Sequence, residues 1–333
     1  MRTLSLFLVV SLCGAAAHAR AWTIETVDAD GIVGHSPTLA FDPAGSPAVV
    51  YRRFDSPMSI KLARHDGTDW RIETLATDTG FFSDLAFDPA DHIAVGFDDS
   101  ATGLQLSRHD GIGWATEVID PCSCAVMRAL AFDPFGSPII AYLFSRQDDS
   151  DLMLARHDGA AWSLEVVDAD GDTGYSAVMA LDAAGHPVVG YAERLRDRIR
   201  VARYDGAVWT LETVDSDGDL GWGEMSIALD SAGNPALSYW ELKADALRVA
   251  RHDGRAWACE TIDPSADEGQ HSSLAYDAGD RLWLAYRDET AQVLKLAVDD
   301  GNGWATQVVD TSYGAGNGVS VAFDPGEIGR AHV

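Results

Sequence analysis

Apolar and polar residues alternate in short stretches along this chain, and turn-forming residues separate the stretches. One unit shows the pattern: apolar positions alternate over residues 38–42, a Pro-Ala-Gly-Ser-Pro turn follows at 43–47, and further apolar runs occupy 48–51 and 60–64. Asp66-Gly67, a strong hairpin signal, then leads into a fourth run that starts at Trp70. A period of two is typical of β-strands, so the unit predicts four short antiparallel strands.

The four-strand unit recurs along almost the whole chain. Tryptophans mark the recurrence at intervals of 44 to 48 residues, at Trp22, Trp70, Trp114, Trp162, Trp209, Trp257 and Trp304. This period is in the range of propeller blades. The sequence therefore predicts an all-β fold, a β-propeller of four-stranded antiparallel blades, with six complete blades and an incomplete seventh.

One domain over residues 20–326 accommodates all the repeats. The six complete blades are predicted at residues 37–75, 83–119, 128–167, 176–214, 225–262 and 271–309. The incomplete seventh combines residues 318–326 with the N-terminal strand 22–27, because closing the ring in this way removes an exposed strand edge.

Both ends of the chain carry segments that we set apart from the fold. Residues 1–19 contain Arg2, an apolar run and Ala17-His18-Ala19, which predicts a secretory signal peptide and an extracellular or periplasmic location. Residues 327–333 are encoded by a string that resembles a sequencing adapter, so we expect a non-native tail. No other stretch is long and apolar enough to cross a bilayer, which needs roughly 18 residues.

The innermost predicted strand has a recurrent pattern of side-chain size. Alanine stands two positions before the aspartate that closes this strand, at Ala40, Ala86, Ala131, Ala180, Ala228, Ala275 and Ala322. Its immediate neighbours are large and apolar. Because alternate side chains of a strand point to opposite faces, each blade offers a small face to one neighbour and a bulky face to the other.

The chain is strongly acidic, with a formal net charge of −28. This charge argues against nucleic acid or an anionic membrane surface as a partner, since both require clustered Lys and Arg. Two explanations remain open for the acidic residues, a well-solvated surface and cation binding.

Two connectors contain alternating aspartates before or after a glycine, which is a pattern that calcium loops use. They carry Asp168, Asp170 and Asp172, and Asp215, Asp217 and Asp219. The positions that should be Gly and Glu in such a loop are occupied by other residues, and turn formation explains the aspartates nearly as well. Calcium is therefore the one cofactor that the sequence suggests.

Three cysteines remain outside the signal segment. Cys122 and Cys124 are close enough in sequence to form a disulfide in an oxidising compartment. We expect Cys259 to be a buried, inert thiol, since the spacing of the three does not match a zinc site.

Two phrases carry a family resemblance: Leu-Ala-Phe-Asp-Pro-Ala-Gly-Ser-Pro at 39–47 and Leu-Ala-Arg-His-Asp-Gly-x-x-Trp at 62–70. They resemble the repeats of secreted bacterial β-propeller proteins, loosely grouped with the sialidase-like, Asp-box superfamily. The Asp box itself, Ser-x-Asp-x-Gly-x-x-Trp, is not matched, because the hairpin at 66–70 lacks the serine and the spacer. The resemblance therefore implies the fold and not an activity.

Residues that recur in every blade are most simply architectural, so the candidate site consists of residues that do not recur. They lie on connectors that enter the innermost strands and on loops of the same face: His35, Phe81, Arg128, Tyr175, Trp222, Glu224, Trp240 and His271. Aromatic side chains with a few charges suit a glycan or a peptide, although they could equally plug the channel mouth.

We therefore expect a monomeric binding module for an extracellular glycan, peptide or protein. The alternative is a glycoside hydrolase or lyase on the same fold, with Glu224 as its candidate acid. A hydrolase would need a second carboxylate about 5 to 9.5 Å from the first.

Overall fold

The computed structural model describes residues 5–10, 23–77, 82–146, 149–220, 223–262, 268–312, 318–323 and 331–332. Every regular element in these residues is a β-strand, which confirms the predicted all-β class. Within the same residues, no helix is long and apolar enough to span a membrane.

Six four-stranded antiparallel blades form a propeller, as predicted, and each blade uses four consecutive strands. The strands of the first three blades are β3–β6 (Val33–Phe41, Pro47–Arg53, Ser59–His65, Trp70–Thr77), β7–β10 (Ser83–Phe87, Ile93–Asp99, Gly103–His109, Trp114–Asp120) and β11–β14 (Ala125–Phe132, Pro138–Ser145, Ser150–His157, Trp162–Asp168). Those of the next three are β15–β18 (Tyr175–Leu181, Pro187–Glu193, Arg198–Tyr204, Trp209–Asp215), β19–β22 (Ser226–Leu229, Pro235–Glu241, Ala246–His252, Trp257–Thr261) and β23–β26 (Glu268–Tyr276, Leu282–Asp288, Val293–Asp299, Trp304–Asp310).

A further four-stranded sheet joins the two ends of the chain. It comprises β1 (Ser5–Val10), β2 (Thr23–Asp28), β27 (Ala322–Phe323) and β28 (Ala331–His332), in the order β2-β1-β28-β27. The incomplete seventh blade is therefore not what this structure shows: the N-terminal and C-terminal strands share a sheet, but β1 and β28 lie between them and pair their edges. The signal peptide and the adapter-derived tail concern processing and origin, and they stay predictions.

Hydrophobic cores lie between blades rather than inside them. The core between the second and third blades combines Leu104 and Leu106 with Leu130 and Tyr142, and partly buried residues of both innermost strands pack against it. Apolar burial stabilises by roughly 25 cal/mol per Å², so each blade depends on its neighbour.

Among the described residues, three of the recurrent tryptophans bridge blades at the outer rim through their indole N–H groups. Trp114 donates its Nε1 hydrogen to Glu73 of the preceding blade (3.0 Å), and Arg64 contacts the same carboxylate at 3.1 Å. The same contact recurs in the pairs Trp257–Glu212 and Trp304–Glu260. This arrangement agrees with an architectural role for the residues that recur.

Hydrogen bonds connect several neighbouring pairs of innermost strands. In each bond a backbone N–H donates to a side-chain oxygen of the preceding innermost segment. The donor and acceptor residues are Leu39 and Ser320, Leu130 and Asp84, Leu274 and Ser226, and Val321 and Ser273. The bond between Ser320 and Leu39, 3.1 Å long, links the last innermost segment to the first blade.

In four of the blades, a buried tyrosine–aspartate hydrogen bond between described residues fixes the blade to the outermost strand of the preceding sheet. In the third blade, the Tyr142 hydroxyl donates to Asp120 at 3.0 Å, and both side chains are buried. Equivalent bonds of 2.6 Å join Tyr51 to Asp28, Tyr191 to Asp168 and Tyr239 to Asp215. A buried carboxylate requires such a partner, because desolvation without one is costly.

The second blade lacks both members of this pair. Phe97 stands at the tyrosine position, and Ala76 stands at the aspartate position of the preceding outermost strand. The two residues belong to the same apolar cluster. In the second blade both polar partners are thus replaced together with apolar residues.

We predict that Tyr142→Phe lowers the free energy of unfolding by about 1.5–3 kcal/mol, because it leaves the Asp120 carboxylate buried without its hydroxyl donor. Asp120→Ala should also destabilise, since it leaves the tyrosine hydroxyl unpaired. The double variant recreates the natural Ala76 and Phe97 combination and should lose less than the sum of the single losses. Additive losses in denaturant unfolding would show that the two side chains are not coupled.

Candidate functional site

A central channel of about 600 Å³ runs between the innermost strands and opens on the connector face. Its lining includes residues from the innermost strands and connectors of every blade. The polar and aromatic members near the connectors are Phe82, Arg128, Tyr175, Arg194, Glu224 and His271. Unlike the interblade cores, this set does not repeat from blade to blade.

Irregular strand pairing in two innermost strands positions residues that line the channel. Met127 pairs with Tyr142 and Ala129 pairs with Ala141, so Arg128 is an extra residue in the innermost strand. A similar register shift follows Tyr175. A β-bulge of this kind redirects a side chain out of the regular alternation. It explains how charged residues reach the channel from strands that otherwise serve the core.

Two connectors hold serines in the left-handed backbone region. Ser36 has φ = 44° and Ser176 has φ = 49°, and both line the channel. Residues other than glycine adopt this conformation rarely, and it is enriched at functional sites. The Ser176 hydroxyl donates to the Gly223 carbonyl at 2.6 Å, which ties two neighbouring connectors together.

Two guanidinium groups stack on aromatic rings of the channel. Arg128 lies 4.3 Å from the centroid of Phe82, and Arg194 lies 3.8 Å from the centroid of Tyr175. Burial lowers the pKa of Arg128 to about 10, while the carboxylate of Asp98 acts in the opposite direction. Arg128 therefore stays protonated at neutral pH, and stacking holds both cations in place.

Glu224 and His271 form an ion pair at the channel wall, with 3.0 Å between Oε2 and Nδ1. Burial alone would lower the pKa of His271, but the carboxylates of Glu224 and Glu289 outweigh it and raise that pKa above its usual 6.5. The pair therefore stabilises the fold below this ordinary pKa, and its contribution is lost as the pH rises through the raised value.

His35 lies beside the channel lining. Its ring packs against Phe54 at 4.4 Å between centroids. Burial lowers the pKa of His35, and the charges of Arg52 and His271 lower it further. The pKa values of these two histidines, which lie at one rim of the channel, are thus shifted in opposite directions.

Asp84 lines the lower part of the channel. Burial raises its pKa to about 6, although hydrogen bonds from the backbone of Leu130 and Leu85 and from the hydroxyl of Thr38 oppose the rise. The Asp84 carboxylate accepts one of the hydrogen bonds between innermost strands, so it has a structural role.

The structure brings together four of the eight predicted ligand-binding residues, namely Arg128, Tyr175, Glu224 and His271. His35 lies next to this group. Trp240 is not among the lining residues: it is buried within its blade, and its Nε1 donates to Asp245 at 3.1 Å. Phe81 and Trp222 lie outside the described residues.

Phe82, Asp84 and Arg194 line the channel but were not predicted. Arg194 directly follows β16, and the equivalent positions in other blades hold unrelated residues such as Phe54 and Leu242. The residue at this position differs from blade to blade, and this variation could have identified Arg194 from the sequence. The same signal was available for Asp84, because no other blade has a charged residue at the equivalent position.

The aspartates predicted to bind calcium have protein partners. The Asp168 carboxylate contacts Tyr191 and Arg200, and Asp215 contacts Tyr239 and Arg248. Among the described residues, no group of three or more His, Cys, Asp or Glu side chains is placed to hold a metal ion. Calcium binding, for which the sequence nominates Asp170, Asp172, Asp217 and Asp219 as further ligands, stays a prediction.

The cysteines differ from expectation in one respect. Cys122 and Cys124 are joined by a disulfide. Cys259 is exposed rather than buried, because it lies on the outermost strand β22, where residues 258–261 are all exposed; its Sγ lies 3.7 Å from the Val214 carbonyl of the preceding blade.

No protein-family model matches the chain, and no curated protein does.

Several solved structures share the fold. A fucose-specific lectin from Aleuria aurantia superposes with a TM-score of 0.59 at 14% identity, over 83% of this chain and 95% of the lectin. A polysaccharide lyase, an ulvan lyase, gives a TM-score of 0.57 at 12% identity over 83% and 86% of the two chains. A Hadza microbial sialidase gives 0.52 at 14% identity and covers 89% of this chain and 64% of its own. At these identities the likeness shows the propeller fold alone.

We predict that a proton NMR titration finds the pKa of His271 above 6.5 and that of His35 below it. Glu224→Gln should lower the pKa of His271, because it removes the carboxylate that favours the protonated ring. An unchanged His271 titration in the Glu224→Gln variant would contradict the ion pair.

Proposed function

We propose that this protein is a secreted carbohydrate-binding module that holds a glycan at the connector end of its central channel. The observation that carries the proposal is the lining itself. One cavity combines aromatic rings, hydroxyl groups and charged groups, and its aromatic and charged members do not follow the repeat. Sugars present apolar faces and directional hydroxyls, which such a lining complements.

The hydroxyl groups of the channel support a polyhydroxylated ligand. Serines line it at several positions, among them Ser36 and Ser83. The Ser83 hydroxyl is buried and has no hydrogen-bond partner among the described residues. A buried polar group of this kind gains when a ligand supplies the missing partner.

The structural neighbours are consistent with this proposal at the level of the fold. The Aleuria aurantia propeller is a fucose-specific lectin. Because the identity is low, its specificity is not transferred to this chain.

Exposure to an oxidising compartment is part of the same proposal. The disulfide between Cys122 and Cys124 and the signal-like N-terminal segment both favour an extracellular or periplasmic site of action. We propose a monomer that meets an extracellular glycan there, with a peptide or protein as the other ligand class.

An enzyme is the second candidate, either a glycoside hydrolase or a lyase acting in the same channel. The Glu224–His271 pair favours it, since a histidine with a raised pKa beside a carboxylate can transfer protons. Incubation with polysaccharides separates the two functions: new reducing ends indicate hydrolysis, unsaturated products indicate a lyase, and binding without either indicates a lectin.

We predict that Tyr175→Ala weakens or abolishes glycan binding on an array of glycans and peptides, while the thermal unfolding midpoint stays within a few degrees. Tyr175 offers a ring face to the channel and does not belong to a core as a buried member. Trp162→Ala is the matched control. It should lower stability by less than the ~3–5 kcal/mol expected of a fully buried tryptophan, because Trp162 is partly exposed, and it should leave binding intact. Array binding that survives in Tyr175→Ala and fails in folded Trp162→Ala would overturn the proposed site.

A further inference from the structure

We infer that the channel ligand is an acidic saccharide whose carboxylate or sulfate group is bound by Arg128 and Arg194. This inference rests on the proposed function and names the ligand class for the same site.

The charge of the channel is opposite in character to that of the chain. The protein carries 52 acidic and 24 basic residues, yet the described residues of the lining include Arg128, Arg194 and His271 and two acidic residues, Asp84 and Glu224. Both lining carboxylates are already engaged. Glu224 pairs with His271, and Asp84 accepts a hydrogen bond of 2.7 Å from the backbone of Leu130.

Arg128 is the lining side chain that is best suited to bind an anion. Its Nε is buried and has no hydrogen-bond partner among the described residues. Its guanidinium lies on the Phe82 ring, and Asp98 is the carboxylate near enough to influence it. A buried guanidinium with an unused donor destabilises the free protein, and an incoming carboxylate or sulfate would offset that loss.

Arg194 adds a second cation to the same cavity. Its stacking on Tyr175 fixes the plane of the guanidinium, and its charge is close enough to oppose protonation of Arg128. An anion between two guanidinium groups relieves their repulsion. The planar donor fork of arginine also matches carboxylate and sulfate oxygens better than a lysine would.

Sugar is favoured over an acidic peptide by the rest of the lining. The same cavity is lined by the rings of Phe82 and Tyr175 and by the unpartnered hydroxyl of Ser83. These groups complement a sugar ring and its hydroxyls, while the arginines complement its charged substituent.

The test is a calorimetric titration of the full chain with three tetrasaccharides. The first alternates glucuronate and N-acetylhexosamine, the second is its carboxyl-reduced neutral counterpart, and the third is the neutral backbone with sulfate added. We expect the glucuronate and sulfate probes, or one of them, to bind at least tenfold more tightly than the neutral probe, and this preference to shrink as salt is raised. The two acidic arms distinguish carboxylate from sulfate recognition.

Arg128→Gln should weaken binding of the acidic probe on the order of 10- to 100-fold, the range of a lost charge-assisted hydrogen bond. Its thermal midpoint should be unchanged or higher, because the variant removes a buried charge. Arg71→Gln is the matched control: it makes the same change of charge on an outer strand where the side chain is 78% exposed, and binding should be unaffected. Arg194→Gln supplies the same test from a loop residue if Arg128→Gln does not fold.

Equal binding of the neutral and acidic probes, lost in Tyr175→Ala, would overturn this inference and leave the proposed function standing. Binding of acidic peptides with no glycan bound would overturn both.

Discussion

Each blade of this protein has two faces that must be covered, and only a neighbouring blade can cover them. This constraint explains why the apolar cores lie between sheets and why small and large side chains recur at fixed positions of the innermost strands. It also explains where polar groups are tolerated. The carboxylate of Asp168 is buried between blades because the Tyr191 hydroxyl from the next blade reaches it at 2.6 Å. Burial and pairing are therefore properties of the interface and not of a single sheet.

The channel is the part of the ring that this constraint leaves free to vary. Its side chains project from connectors and from the bulge at Arg128, where regular pairing is interrupted. Residues there need not fit a neighbouring blade. They can consequently be charged, strained or short of hydrogen-bond partners, as Arg128, Ser176 and Ser83 are. Those features would be unfavourable in an interblade core, and together they support the proposed ligand site.

The fold was predictable because its determinants repeat. The alternation, the Asp-Gly hairpins and the regular tryptophans each occur in many blades. One blade that departs from the pattern, such as the one with Phe97 at the tyrosine position, therefore did not obscure it. Half of the predicted ligand-binding residues line the channel, because the rule that selected them, absence of recurrence, follows from the ring. Trp240 does not, since position along a strand cannot reveal that its ring is buried within the blade.

Other features of the molecule could be recognised only from the structure. The bulge that redirects Arg128 depends on the register of two strands, and register is not encoded in the alternation alone. The partner of Asp84 is the backbone of Leu130, 46 positions away. The exposure of Cys259 depends on the position of β22 at the outer edge of its blade. The tyrosine–aspartate pair could have been found, because Ala76 and Phe97 depart together from the residues of the other blades.

The central claim is that a glycan binds at the connector end of the channel, and hydrogen exchange with a bound oligosaccharide tests it most directly. The account predicts slower amide exchange at residues 82–84, 126–130, 175–178 and 223–226, which border the connectors. Exchange should be unchanged in the turns at the opposite mouth, around Pro43, Pro89 and Pro134. Protection confined to those turns, or to the outer hairpins, would place the ligand elsewhere and contradict the account.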